Sequence, residues 1–263
     1  MNTKSNVSIW RCLLALFLPL AVLGQATNLS TIRLPTSAVL ASNSAVKLKF
    51  DAQGALYLSA QANDGSLYSA KYATNGGLVW SQQLGGSLVG GVPEAACLDA
   101  AGNYYVTAAA ATDWATLKFG PDGTPAWTNR INGVGNRTDT PAAITVDLEG
   151  NSYVAGNTSV SGHPGYFTYE NFAITVVSYT PSGVQRWRTD YYGNWYRQAQ
   201  SVVADELGHV FVSGATQLTQ AHQIGNVILS LSSASGGYSS RRPGVGRRWV
   251  RAGRSRGSSR PAR

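Results

Sequence analysis

The chain has 263 residues, of which 43% are hydrophobic and 13% charged, with 29 Gly and 13 Tyr, and this composition excludes a charge-driven disordered chain and a coiled coil while favouring an all-β protein. The formal net charge of +8 comes from the C-terminus: residues 237–263 hold 9 Arg and no acid, whereas the preceding 236 residues hold 12 basic and 13 acidic side chains. The charge of residues 1–236 therefore does not indicate specific binding to nucleic acid or to a membrane surface.

Residues 1–24 have the order of a secretory signal peptide. Lys4 and Arg11 precede a 12-residue apolar run over residues 12–23, and small residues follow. A membrane span needs about 20 apolar residues, so we expect no span here. We expect a bacterial protein that is secreted or held at the cell surface. Removal of the signal leaves Cys97 as the single cysteine, and a small buried hydrophobe is favoured over a reactive thiol.

A lead-in, residues 25–45, precedes sequence repeats over residues 46–236. One signature is Asp followed by Gly three residues later and by an aromatic residue six later, and it occurs four times. Its first positions are Asp51, Asp99, Asp147 and Asp205. We place the repeats at about 46–94, 95–141, 142–200 and 201–236.

A second signature in three of the repeats is an aromatic residue followed by Gly four residues later and Trp eight later. It begins at Tyr72, Phe119 and Tyr179, so the tryptophans are Trp80, Trp127 and Trp187. Both signatures predict tight turns, because Asp accepts hydrogen bonds from the following backbone and Gly adopts a positive φ without strain. The second repeat then reads as strands at 95–98, 103–108, 115–119 and 126–131. Four short strands per repeat are typical of a propeller blade.

The motifs D-x-x-G-N-x-Y-V and K-Y/F-x-x-x-G-x-x-x-W resemble the SBBP family, the bacterial seven-bladed β-propeller repeat, from about residue 46 to 236. The resemblance implies an exported protein with no assigned catalytic activity. We predict an all-β fold, a partial β-propeller of about four four-stranded antiparallel blades, open or truncated. The chain departs from the family pattern in two respects. It has about four blades where the family has seven, and Ser240 stands where the fourth repeat should have Trp. Open edges would favour self-association.

The Arg-rich tail, residues 237–263, has three interpretations. It is a solvated basic segment that contacts polyanions, a disordered linker, or the product of a frame change or truncation within the fourth blade. We favour the last, because Arg, Gly, Pro and Ala use GC-rich codons and the tail begins within a strand. No function is based on this tail.

Sequence motifs for zinc binding, phosphate loops and nucleophile elbows are absent from the chain. We therefore expect a non-catalytic scaffold or binding module with no catalytic residue, no metal ligand and no cofactor. The repeated Asp residues are interpreted as turn formers and the repeated Trp residues as packing groups. The alternative is an enzyme-like propeller of the quinoprotein type, which would bind a cofactor in its channel.

The third repeat carries an insertion, since Tyr153 to Tyr179 spans 26 residues where the first two repeats have 15 and 14. We predict that this insertion and residues 190–197 are loops at the same end of the blade, because strand direction alternates. Both are rich in aromatic residues, which suit a carbohydrate or protein partner, unless the insertion packs on its own blade. The predicted binding rim comprises His163, Tyr166, Phe167, Tyr169, Asp190, Tyr192, Trp195 and Arg197.

Overall fold

The computed structural model describes parts of the chain that all lie in one compact unit, Ile32–Arg263. The described residues are 40–41, 45–85, 91–134, 137–159, 172–192, 194–217, 224–241 and 250–251. The predicted signal peptide and most of the predicted lead-in lie outside them.

Antiparallel strands make up all the regular structure of the described residues, and they form four sheets in chain order. The strands are β1 (Lys47–Phe50), β2 (Leu56–Gln61), β3 (Leu67–Tyr72), β4 (Leu78–Leu84), β5 (Val92–Leu98), β6 (Tyr104–Ala110), β7 (Asp113–Phe119), β8 (Pro125–Ile131), β9 (Thr140–Val146), β10 (Ser152–Ser159), β11 (Phe172–Tyr179), β12 (Gln185–Tyr191), β13 (Asn194–Ala204), β14 (His209–Gln217), β15 (Ile224–Ser232), β16 (Tyr238–Arg241) and β17 (Val250–Arg251). The first three sheets have four strands, and the fourth adds β17 to its edge.

These four meanders, called blades 1 to 4, confirm the predicted partial β-propeller. Blade 4 includes β16, so its fourth strand forms within the segment that the sequence assigns to the tail. Strand pairing uses backbone groups, so the Arg-rich composition does not prevent it. Blade 4 also begins at Asn194, ahead of the predicted repeat limit at 201. The repeat limits themselves remain sequence predictions.

The Asp residue of the first signature shapes the turn between the first two strands of each blade. In blade 3, Asp147 Oδ1 accepts hydrogen bonds from the backbone N–H groups of Glu149 and Asn151, at 3.0 and 2.8 Å. Asp51, Asp99 and Asp205 repeat this pair of contacts. The glycine three residues later has φ between +80° and +83° in all four turns. Turn chemistry therefore sets the register of each blade.

Two of these turns are also tied to the core. The Tyr153 hydroxyl donates to Asp147 Oδ2 at 2.7 Å, and Tyr105 makes the same contact with Asp99 at 3.0 Å. Burial, and next the hydrogen bond to Asp147, raise the pKa of Tyr153 to about 12, so the hydroxyl remains a donor at neutral pH. In blade 4 the residue at this position is Phe211, which has no hydroxyl.

We expect Asp147→Ala to lower the free energy of unfolding by about 2 to 3 kcal/mol, because it removes two backbone contacts and leaves the buried Tyr153 hydroxyl without its carboxylate acceptor. Asp205→Ala is the matched control, since its carboxylate serves only the exposed turn and the His209 ring. Urea unfolding of the two variants should show the larger loss for Asp147→Ala. Equal losses would contradict a role for the tyrosine contact.

Apolar clusters fill the spaces between successive blades. The first strand of each following blade, β5, β9 or β13, contacts the first and second strands of the blade before it. The cluster between blades 1 and 2 contains Tyr57, Trp80, Tyr104 and Phe119, and equivalent clusters lie between blades 2 and 3 and between blades 3 and 4. The core of this protein is therefore a series of inter-blade layers, as expected for stacked repeats.

Each repeated tryptophan donates a hydrogen bond to a backbone carbonyl in a turn of the next blade. The Nε1–H groups of Trp80 and Trp127 donate to the carbonyls of Pro121 and Pro181, both at 3.1 Å, and that of Trp187 donates to Ser233 at 2.7 Å. The indoles lie against the second-signature glycines of these turns, where a Cβ atom would meet an indole carbon at 2.5 to 2.6 Å. The second signature thus forms a contact, here called the lock, in which the tryptophan of one blade binds the turn of the next.

Candidate functional site

The rim is the end of the blades at which the second strand leads to the third and the fourth strand leads to the next blade. Both connections lie at one end because the strands of each sheet are antiparallel. In blade 3, the pair Ser159 and Phe172 closes the β10–β11 ladder there, and β12 ends at Tyr191. The rim of blades 3 and 4 is where the sequence predicts the binding residues.

Four of the predicted rim residues, His163, Tyr166, Phe167 and Tyr169, lie in 160–171, outside the described residues. Asp190 lies in β12, Tyr192 follows that strand, and Trp195 and Arg197 lie in β13. The side chain of Trp195 is also outside what the structure describes.

Residues 190–197 differ from the predicted loop, because most of them belong to two strands. Their pairing is irregular: Asn194 lies opposite Gln217, whereas Arg197 lies opposite Thr216, so residues 195 and 196 form a bulge in β13. A bulge redirects side chains and is common beside binding sites. The backbone is therefore held by strand pairing at Asp190 and Tyr191 and again at Asn194 and Arg197.

A polar network fixes Asp190 at the rim. Asp190 Oδ1 accepts hydrogen bonds from Thr175 Oγ1 at 2.6 Å and from Arg188 Nε at 3.1 Å. Arg188 also donates to Thr158 Oγ1 at 3.2 Å, and the Thr158 and Thr175 hydroxyls are 2.5 Å apart. The network joins β10, β11 and β12, so this carboxylate–guanidinium pair is held in one geometry while both side chains remain partly accessible.

Arg197 connects the two blades at the same place. Its guanidinium donates to the carbonyl of Phe172, the first residue of β11. Its own carbonyl accepts from Asn157 Nδ2 at 2.8 Å, and Asn157 Oδ1 accepts from the Ala199 N–H at 3.0 Å. The pKa of Arg197 is lowered by burial, an effect that Tyr191 and Tyr192 oppose. Arg197 therefore helps to hold the start of blade 4 against blade 3.

Among the described side chains of this rim, Tyr192 is an exposed aromatic residue, with 56% of its surface accessible. Its pKa is raised by desolvation and by the charge of Asp190, while Arg188 and Arg197 act in the opposite direction. The phenol thus stands in the field of one carboxylate and two guanidinium groups. Such a set offers a ring for stacking and both hydrogen-bond donors and acceptors to a polar ligand.

Sequence reasoning missed Asp139, a fully buried carboxylate of the rim. It accepts hydrogen bonds from the Ser159 N–H at 2.7 Å, from the Ser159 hydroxyl at 3.1 Å and from the Gly133 N–H. These contacts attach the end of β10 to the connection between blades 2 and 3. The equivalent position of the preceding repeat, two residues before a shared Pro, is Gly91, so no repeat signature marks Asp139.

Within the described residues, no three side chains of His, Cys, Asp or Glu come together as metal ligands. His209 lies 2.9 Å from Asp205 in the first-signature turn of blade 4. The described part of the chain also holds no helix with the length and hydropathy of a membrane span. Cys97 is partly buried in the layer between blades 2 and 3, and burial raises the pKa of its thiol to about 12.

Solved structures similar to this chain share little of its sequence. A protein of unknown function from Bacteroides caccae has 11% identity and a TM-score of 0.41, over 72% of this chain and 78% of that one. A putative exo-β-1,3-galactanase from Bifidobacterium bifidum has 12% identity and a TM-score of 0.45, over 76% and 70%. A catalytically inactive virginiamycin B lyase from Staphylococcus aureus has 9% and 0.43, over 82% and 74%.

No curated protein matches the chain in sequence. Residues 126–162 match the family model of the SBBP β-propeller repeat. This match runs from β8 through β9 and β10, so it includes Trp127 of the second signature and Asp147 of the first. The matched residues contain the complete first motif of the third repeat, which begins at Asp147, and the last residue of the second motif of the second repeat, Trp127. Residues 126–162 of this chain are therefore similar to the β-propeller repeat of the SBBP family.

Proposed function

We propose that this chain is an exported, non-catalytic binding module in which the blades are a rigid frame and the rim of blades 3 and 4 holds the ligand. The observation that carries the proposal is the exposed Tyr192 beside Asp190, Arg188 and Arg197, three charged groups that the strands hold in place. Binding residues are commonly presented by connections on such a rigid frame.

The chemistry of this group favours a carbohydrate. An exposed phenol ring can stack on the apolar face of a sugar, while a fixed carboxylate and guanidinium pair can exchange hydrogen bonds with its hydroxyl groups. The charged groups are already paired and positioned, so a ligand would not need to order them on binding. A protein partner that presents a polar loop is the second ligand class for the same residues.

We expect Tyr192→Ala to weaken ligand binding about 30-fold, since truncating an aromatic anchor typically costs about 2 kcal/mol. Tyr192→Phe, which keeps the ring, should retain most of the affinity. A glycan array followed by titration calorimetry on the strongest glycan measures this, and a pull-down tests protein partners.

The matched control is Val184→Ala, because Val184 is as exposed as Tyr192 but lies in the β11–β12 turn, at the opposite end of blade 3. Its affinity should equal that of wild type. Unchanged affinity in a folded Tyr192→Ala variant would move the ligand site away from this rim. The aromatic residues of 160–171 stay a prediction, for which Tyr169→Ala is the test.

A further inference from the structure

The inner strands of the blades carry a contact that recurs at every blade boundary in the described chain. At three residues before the signature Asp, blades 2, 3 and 4 have Ala96, Ile144 and Val202, which are 5%, 8% and 5% exposed. Each belongs to the apolar cluster shared with the preceding blade. This position is therefore where a blade buries its inner strand against its predecessor.

In blade 1 the side chain at the same position is exposed to solvent. Its equivalent residue, Leu48 of β1, is 51% exposed, and Phe50, two residues later, is 67% exposed. The counterparts of Phe50 in blades 2 and 3, Leu98 and Val146, pack against the cluster of the preceding blade. On the second and third strands this face of blade 1 is already buried, and Leu40 packs against the cluster that they form, which comprises Leu58, Ala60, Tyr68, Ala70 and Tyr72. The uncovered part is the inner strand, β1.

On blade 4, apolar residues of the face that would contact a following blade are exposed. Ile228 of β15 lies opposite Ser213 in the ladder, a position taken by Ser69, Thr116 and Val176 in blades 1 to 3. Those three residues are 0 to 1% exposed, whereas Ile228 is 49% exposed. Val203, two residues before the signature Asp of blade 4, is exposed as well.

We propose that the chain self-associates head to tail, with Leu48 and Phe50 of one copy packing on Val203 and Ile228 of a second copy. The occupant is a second copy because the two open surfaces are the two halves of an interface that this chain already makes three times within itself. In those interfaces the following inner strand contacts the preceding inner and second strands, and β9 and β13 also contact the preceding third strands, β7 and β11. β1 is an inner strand whose contact surface is uncovered, and Ile228 lies on the third strand of blade 4.

Such a contact is heterologous, so it produces a closed ring if the rotation closes and an open chain of copies if it does not. The described blades of two copies number eight, which is within the range of about four to eight found in closed propellers. This self-association is independent of the ligand site, since its residues lie on the inner strands and on β15, away from Tyr192.

Sedimentation velocity of the full chain over a range of concentrations tests the proposal. The wild type should shift to a larger sedimentation coefficient as concentration rises. The double variants Leu48→Asp, Phe50→Asp (head variant) and Val203→Asp, Ile228→Asp (tail variant) should each raise the dissociation constant at least about tenfold, because a charge would have to be buried. Val184→Asp, which alters an exposed apolar residue elsewhere, should associate as wild type does.

A mixture of the head variant and the tail variant distinguishes this contact from a loss of folding. The head variant keeps an intact Val203 and Ile228 surface, and the tail variant keeps an intact Leu48 and Phe50 surface, so the mixture should form a one-to-one complex that neither variant forms alone. A monomeric wild type at all concentrations, or a mixture that stays monomeric, would overturn the proposal.

Discussion

Gly183→Ala is expected to lower the free energy of unfolding by about 4 kcal/mol, although it adds a single methyl group at a turn. Two effects combine at this position. Gly183 has φ +86°, in the left-handed region that costs an L-residue about 1 to 2 kcal/mol. In addition, its Cβ would lie 2.6 Å from Cγ of Trp127, so the indole of blade 2 would have to leave its place on blade 3.

The matched control for this substitution is Gly65→Ala. Gly65 has a similar φ of +80°, but a Cβ there would meet no atom within 4 Å. It should therefore lose only the backbone component, about 1 to 2 kcal/mol. Urea unfolding of both variants, followed by circular dichroism at the β-sheet band, measures the difference. Equal losses would mean that the contact between Trp127 and the turn contributes little to stability.

The second-signature glycine shows how far repeat spacing alone can predict this fold. Its spacing from the aromatic residue and from Trp predicts a turn, four strands and a blade, and the structure confirms the blades. The spacing does not say that Gly183 contacts a tryptophan of the preceding blade. That contact joins Trp127 to a residue 56 positions away, and such pairs appear only when the blades are stacked.

The structure of the rim was harder to predict from the sequence than that of the blades. The position of residues 190–197 between the fourth strand of the third repeat and the next repeat predicted a loop, yet the backbone partners supplied by β14 extend β13 back to Asn194. Thr158, Thr175 and Arg188 carry no motif, and the hydrogen bonds that join them depend on which strands are neighbours. Side-chain networks across strands are thus beyond what residue spacing reveals.

Blade 4 illustrates the difference between forming a strand and locking a blade. β16 pairs with β15 even though Ser240 occupies the Trp position of the second signature. Backbone hydrogen bonds are enough for the strand, whereas the lock on a following blade requires an indole. On its other side blade 4 is held by Trp187 of blade 3, so this residue carries the last lock of the described repeats.

Trp187→Ala is expected to lower the free energy of unfolding by about 3 to 5 kcal/mol, the range for truncating a buried aromatic residue. Trp187 is 8% exposed, its ring centroid lies 5.9 Å from that of Tyr153, and its Nε1–H donates to the Ser233 carbonyl at 2.7 Å. Trp187→Phe separates these contributions. It keeps an aromatic ring in the layer and removes the hydrogen bond, so its loss should be smaller, including about 1 kcal/mol for that bond.

The loss of stability in Trp187→Ala should be largest in blade 4. Stacked repeats are stabilised by contacts between neighbours, so weakening the lock between blades 3 and 4 should let blade 4 open before the others. Limited proteolysis of Trp187→Ala at low denaturant should then cut first within residues 194–241, while blades 1 to 3 remain intact. Hydrogen exchange should show the same order, with lost protection in β14 and β15 and retained protection in β6 and β7. A uniform loss of protection over all four blades would mean instead that the blades unfold as one cooperative unit.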